Sequence, residues 1–135
     1  MSTFNLTVLT PFGTYYKGEA SYLEVRNEDS VLGILPRHAP IISTVKLGKV
    51  RITIKGNEHV YACTGGLLHV KKDGSVTLMV NTIERSDEID VARAKRSKER
   101  ALKRIEHNEG NIKRAESSLE RAEIRIEVAN EKWFI

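Results

Sequence analysis

The spacing of hydrophobic residues changes character near residue 84, and the two sides of that change predict different kinds of structure. Before it, short apolar or alternating runs recur between turn signals, the mark of strands rather than helices. Phe4 to Thr10 reads as a strand and stops at Pro11-Phe12-Gly13, and Thr14 to Tyr16 and Ser21 to Arg26 follow. Val31 to Leu35 ends at Pro36, and Ile41 to Val45 precedes Leu47-Gly48. Lys49 to Lys55 alternates cleanly, with Val50, Ile52 and Ile54 on one face, and Gly56-Asn57 predicts a tight hairpin turn. His59 to Cys63, Leu67 to Val70 and Ser75 to Val80 complete the series. So many short strands in so little chain predict an antiparallel β-sandwich or barrel.

After Arg85 the period becomes helical. Ser86, Asp87 and Glu88 supply a cap and first-turn acids suited to the positive end of a helix. Val91, Ala94, Ala101 and Ile105 recur at spacings of three and four, with Lys98 the exception, until His107-Asn108-Glu109-Gly110-Asn111 interrupts. Ile112, Ala115, Leu119, Ala122, Ile126, Ala129 and Trp133 then form a heptad stripe. The short break predicts an antiparallel helical hairpin. The fold class expected is therefore α+β: residues 1–84 as an antiparallel sandwich or barrel of eight or more short strands, residues 85–135 as the hairpin. Half the seam is alanine, which lets helices approach closely but buries little area. Its larger members, Val91, Ile105, Ile112, Leu119 and Ile126, supply on the order of 10 kcal/mol even if fully buried. Ordering each residue costs ~1–2 kcal/mol of backbone entropy. Such a hairpin needs a docking surface, and one held marginally can act as a conformational switch; a hairpin permanently packed on its own sandwich is the alternative.

Composition narrows the function classes. The 40% hydrophobic and 30% charged content is that of a globular chain. No run approaches the ~20 apolar residues of a membrane-spanning helix, and the N-terminus carries no secretory pattern. Cys63, the single cysteine, reads as a small buried hydrophobe. Together these favour a reducing cytosolic compartment. The net charge of +4 raises the question of nucleic acid, but residues 1–83 hold 9 Lys/Arg against 6 Asp/Glu and residues 84–135 hold 13 against 12. Neither half has the lopsided charge of a duplex binder. The basic stretch Arg93, Lys95, Arg96, Lys98, Arg100, Lys103, Arg104, opposed only by Glu99, is either a solvated helix face or a surface for an anionic neighbour. It lacks the interleaved aromatics of a single-strand binder.

Three motifs in order carry a family resemblance. Gly33-Ile34-Leu35-Pro36-Arg37-His38-Ala39-Pro40 matches a G-x-L/Y-P-x-H-A-P pattern, Thr64-Gly65-Gly66-Leu67-Leu68-His69-Val70 places a glycine pair before an apolar strand, and Ile89-Asp90-Val91-Ala92-Arg93-Ala94 matches I/L-D-x-x-R-A. In this set, across essentially the whole chain, the sequence resembles the epsilon subunits of bacterial F-type ATP synthases. The resemblance implies a non-catalytic rotor subunit with no catalytic cofactor. It implies that the N-terminal half is an antiparallel β-sandwich of about ten strands, which would bind the gamma subunit and the ring of c subunits, around Val31, Leu32, His38, Ala39 and Pro40. Its hairpin would either fold down on the sandwich or extend along gamma into the alpha/beta catalytic head, where it restrains ATP hydrolysis and where the basic stretch would meet acidic beta segments. The expected location is the cytoplasmic side of the cell membrane, peripheral and through the complex alone. Many relatives carry an acid two places before Gly33 that contacts the c ring; here that residue is Val31, so the ionic contact is not expected.

The resemblance also implies ATP as a regulatory ligand on the folded-down hairpin, with Mg as its companion left open. The residues expected to hold it are Glu84, Asp90, Arg93, Ala94, Arg100, Arg121 and Arg125. There is no phosphate-cradling G-x-x-x-x-G-K-S/T loop, zinc spacing or nucleophile-and-base arrangement, so ATP would be an effector and not a substrate. Arg93 and Arg100 lie two helical turns, about 10.5 Å, apart on one face and could bracket a triphosphate with forked contacts. Arg121 and Arg125 could join them. Asp90 would repel phosphate and so should face the adenine amine or the ribose. The plainer alternative pairs Arg93 with Asp90 at i,i+3 and leaves the rest as solvated partners. Two other function classes compete: an adaptor inserting its hairpin into another machine, such as an RNA polymerase channel factor, and a nucleic-acid binder using the basic stretch. The first is weakened by the single acid at the hairpin tip.

Overall fold

A computed structural model describes residues 2–107 and 110–131. Ten strands form in chain order: β1 Phe4–Thr10, β2 Gly13–Ala20, β3 Tyr22–Arg26, β4 Val31–Ile34, β5 Ile41–Val45, β6 Gly48–Ile54, β7 Asn57–Cys63, β8 Gly66–Val70, β9 Val76–Val80 and β10 Ile83–Arg85. A short 3-10 turn, Ser86–Glu88, leads into helices α1, Val91–Glu106, and α2, Ile112–Ala129. The strands make two five-stranded sheets, ordered β2-β1-β9-β8-β5 and β10-β7-β6-β3-β4. All pairs are antiparallel except β1 with β9, which run parallel through Leu6↔Val76 and Val8↔Leu78.

The sandwich core follows from the period-two alternation. Leu6, Val8, Leu68, Val70, Val76 and Leu78 point inward from one sheet, and Leu23, Val25, Ile34, Val50, Ile52 and Cys63 from the other, in one continuous cluster. Fully burying each large member is worth ~1.5–3 kcal/mol. Cys63 is indeed buried and free, and burial pushes its thiol up to about 11. Strand β7 breaks the alternation, because Val60, Tyr61, Ala62 and Cys63 are all buried. A strand buried on both faces needs a second layer outside it, and α2 is that layer.

Three local expectations are corrected. Helix α1 begins at Val91, and its N-cap is Asp90, whose Oδ1 accepts from the Arg93 amide at 3.0 Å; Ser86, Asp87 and Glu88 form the preceding turn instead. The β6–β7 turn centres on Lys55 and Gly56, with φ of +51° and +80°, so Asn57 is the first residue of β7 and pairs with Ile54. Two successive left-handed residues match the twist of a two-residue hairpin. The second strand runs on to Ala20, well past Tyr16. Trp133, the last member of the proposed stripe, lies outside the described residues.

Candidate functional site

The hairpin seam is as small as its alanines suggest. Ala94 and Ala101 of α1 and Ala115 and Ala122 of α2 are buried, whereas Val91, Ile105, Ile112, Leu119 and Ile126 are only half-buried. Beyond this seam the hairpin is held by α2, which meets β6, β7 and the Ser86–Glu88 turn. Val128 and Ile89 pack with Val60 and Ala62 on the outer face of β7, joined by Ile124 and Ala129. Ion pairs flank this apolar contact. Lys49 Nζ reaches Glu127 at 2.8 Å and Glu131 at 2.9 Å, and Arg51 reaches Glu131 at 3.1 Å. Hydrogen bonds from Lys49 to Glu127, then to Glu131, raise the lysine above its ordinary range. On the other flank Arg125 forks onto Glu84 of β10, Nε to Oε1 at 2.8 Å and Nη2 to Oε2 at 3.0 Å.

The turn before α1 is tied to the sandwich as well. Tyr15 Oη donates to Glu88 Oε1 at 2.6 Å, the same oxygen accepts from the Arg85 amide at 3.1 Å, and the Tyr15 ring meets Tyr61 edge-on at 6.0 Å. Burial, then the hydrogen bond to Glu88, lifts the Tyr15 phenol far above its usual range, and burial pushes Tyr61 up to about 12. An unfolded tyrosine ionises near pH 10. The native state therefore holds protons that the unfolded chain releases, so this stabilisation is complete below that pH and is lost as pH rises toward the folded values. Urea unfolding of the wild type should show lower stability at about pH 11 than at about pH 8, and Tyr15→Phe should narrow that gap. An unchanged gap would remove Tyr15 from the alkaline transition.

Between the hairpin and the sandwich lies a cleft of about 540 Å³. Arg100 and Arg104 enter it from α1 and Arg121 and Arg125 from α2, each pair one helical turn apart. Ser97, Ser118, Thr64, Thr82 and Glu84 add polar groups, and Leu47, Ala62, Ile124 and the seam residues Ala101, Ala115 and Ala122 form the apolar part. Among the described residues Arg100, Arg104 and Arg121 have no carboxylate within ion-pairing distance; Arg121 Nη2 donates to Ser118 Oγ at 3.2 Å. Four guanidinium groups against one carboxylate suit a polyanion, and the fork geometry suits phosphate.

Of the residues proposed for ATP, the structure gathers Glu84, Arg100, Arg121 and Arg125 around this cleft. Asp90 is engaged as a helix cap and Ala94 is sealed in the seam, so neither lines it. Arg93 stands one turn before Ser97 on the cleft face of α1, outside the lining, and its link to Asp90 runs through its amide rather than its guanidinium. The residues proposed for partner contact are spread out. Val31 is 59% exposed at the start of edge strand β4, and Leu32 packs against the core. His38, Ala39 and Pro40 border a separate depression with Arg37, Lys72 and Asp73. Within that loop Arg37 has φ of +67°, and His38 Nδ1 lies 2.7 Å from the Ala39 carbonyl.

The fold is thus a two-sheet sandwich carrying a docked helical hairpin, with an arginine-lined cleft between them. The chain belongs to the ATP synthase delta/epsilon chain family. The family model described as the ATP synthase delta/epsilon chain beta-sandwich domain matches residues 3–86, and that of the long alpha-helix domain matches residues 87–130. Members of the family are non-catalytic subunits. The chain is 40% identical over 128 residues to the ATP synthase epsilon chain of Desulfitobacterium hafniense (strain Y51), covering 94% of this chain and 96% of that one. It is 38% identical over 130 residues to that of Bacillus pumilus (strain SAFR-032), covering 96% and 98%. Its fold matches a chain of the Euglena gracilis mitochondrial ATP synthase, OSCP/F1/c-ring in rotational state 1, with a TM-score of 0.85 at 19% identity, over 97% of this chain and 83% of that one. Among the described residues no helix is long and apolar enough to cross a membrane.

Proposed function

We propose that this chain is a central-stalk subunit of a proton-translocating ATP synthase, whose hairpin takes ATP as a regulatory ligand while folded against the sandwich. The sandwich would bind gamma and the c ring, and the exposed apolar side chains of Val31, Leu35 and Ile42 support a partner surface there. A hairpin released from the sandwich would reach the alpha/beta head and restrain ATP hydrolysis; the chain would meet the membrane through the complex alone. The observation that carries the ligand reading is the cleft, which exists only while the hairpin is docked. Its walls come from α1, α2 and the sandwich together, so a ligand filling it stabilises the docked state by mass action. Its volume lies within the ~300–1,000 Å³ of small-molecule sites.

Calorimetric titration of the full chain with ATP, with and without Mg, tests this. The wild type should bind without hydrolysis. Arg100→Ala should bind on the order of tenfold or more weakly, since one charge-assisted contact is worth ~1.5–3 kcal/mol. Asp90→Ala and Arg93→Ala should have smaller effects, acting through the start of α1. No heat from the wild type, or equal affinity in Arg100→Ala, would overturn the assignment.

A further inference from the structure

The arginine that the cleft shares with the sandwich already holds an anion belonging to the chain itself. Glu84 lies on β10, an edge strand hydrogen-bonded to β7 alone, and its carboxylate takes the side-on fork of Arg125 through both oxygens, at 2.8 and 3.0 Å. That is the geometry a phosphate would adopt on the same guanidinium. The other three cleft arginines face the cavity without such a partner among the described residues. A triphosphate entering the cleft therefore meets three open guanidinium groups and a fourth that is occupied, with the occupying carboxylate inside the same cavity.

We propose that Glu84 is a built-in counter-anion that holds the place of a phosphate on Arg125 and limits the affinity of the cleft for polyphosphates. The proposal rests on reading the cleft as a polyphosphate site, and it gives Glu84 a role opposite to that of a ligand-gripping residue. Two effects act in the same direction. Binding must displace or share the bidentate contact, and any Glu84 charge remaining in the cleft repels the incoming one. The pair is partly shielded, with side chains 24% and 33% exposed, so water screens it incompletely. Without ligand, the carboxylate neutralises Arg125 and clamps α2 to β10. With ligand, phosphate takes over the guanidinium and the clamp is replaced by contacts that bridge both helices.

The plain alternative is that Glu84–Arg125 is only a docking clamp, and the two readings predict opposite signs. Inorganic tripolyphosphate is the decisive probe, because it has no base or ribose for Glu84 to recognise. Glu84→Gln keeps the shape of the side chain and removes its charge. Calorimetry on the full chain should show tripolyphosphate binding Glu84→Gln roughly tenfold more tightly than wild type, the size of one charge-assisted contact. Glu131→Gln, which loosens the clamp on the other flank without touching the cleft, should leave the affinity equal or lower. Equal or weaker binding to Glu84→Gln, beside measurable binding to wild type, would overturn the counter-anion role and leave the nucleotide reading intact. No heat from either protein, with ATP or tripolyphosphate, would overturn both.

Discussion

Gly66→Ala is expected to cost about 3 kcal/mol or more, and so to lower the melting temperature by on the order of 10 °C. Gly66 opens β8 and is paired on one side with Val45 of β5 and on the other with Val80 of β9. A Cβ built there would overlap the Met79 carbonyl oxygen and stand 2.8 Å from both the Met79 carbonyl carbon and the Val80 Cα. These are backbone atoms of the neighbouring strand, so no side-chain rotation relieves the clash. The strands must separate, and β9 is also the parallel partner of β1. Against a total stability of ~5–15 kcal/mol this is a large share. Gly74→Ala is the control. Gly74 has φ of +92° with nothing within 4 Å of an added Cβ, so its substitution costs only the left-handed conformation, ~1–2 kcal/mol. Thermal melts followed by circular dichroism should rank wild type above Gly74→Ala above Gly66→Ala. A Gly66→Ala melt at or above that of Gly74→Ala would show that the sheet accommodates the methyl group.

Gly66 also marks where local sequence stops carrying the fold. The glycine pair before an apolar strand is visible in the chain, but the close approach that demands it depends on β8 lying beside β9, which no local pattern states. The parallel β1–β9 pairing was illegible for the same reason: alternation in Phe4 to Thr10 and Ser75 to Val80 shows which side chains face inward, not which strands are neighbours. By contrast, alternation along β6 and the alanine seam of the helices were direct readings, because each is a property of one element. The cleft was half legible. Arg100, Arg121 and Arg125 stood out by motif and spacing, whereas Arg104 looked like one more member of a basic run, and Leu47, Thr64 and Thr82 had no distinguishing pattern. The docking face of α2 has only a faint local signature, Ile124 and Val128 four apart. The stronger heptad of the seam drew the period, and Val60 and Ala62 on β7 sat at positions where a half-exposed strand would face solvent.

That second face of α2 predicts the other large effect: Val128→Asp should detach the hairpin and leave the sandwich folded. Val128 is fully buried against Val60, Ala62 and Ile89, and a carboxylate there loses its water without a partner. The nearest clamp offers no rescue, since Lys49 is already shared between Glu127 and Glu131. An uncompensated buried charge costs ~3–5 kcal/mol. The docking it opposes rests on a few apolar side chains and on partly exposed ion pairs worth ~0–1 kcal/mol each. The substitution therefore outweighs the contact, and the Ala-rich seam is too small to keep two free helices ordered. The sandwich core is a separate cluster that excludes residue 128, so it has no reason to fail. Hydrogen exchange should show amides of 91–106 and 112–129 losing protection while those of β6 and β8 keep theirs. ATP binding should vanish in the same protein, because the cleft loses the wall that the sandwich provides. Protected helices in Val128→Asp would show that the docking outweighs the buried charge. Joint loss of protection in both halves would instead show that hairpin and sandwich form one cooperative unit, with docked and released states no basis for regulation.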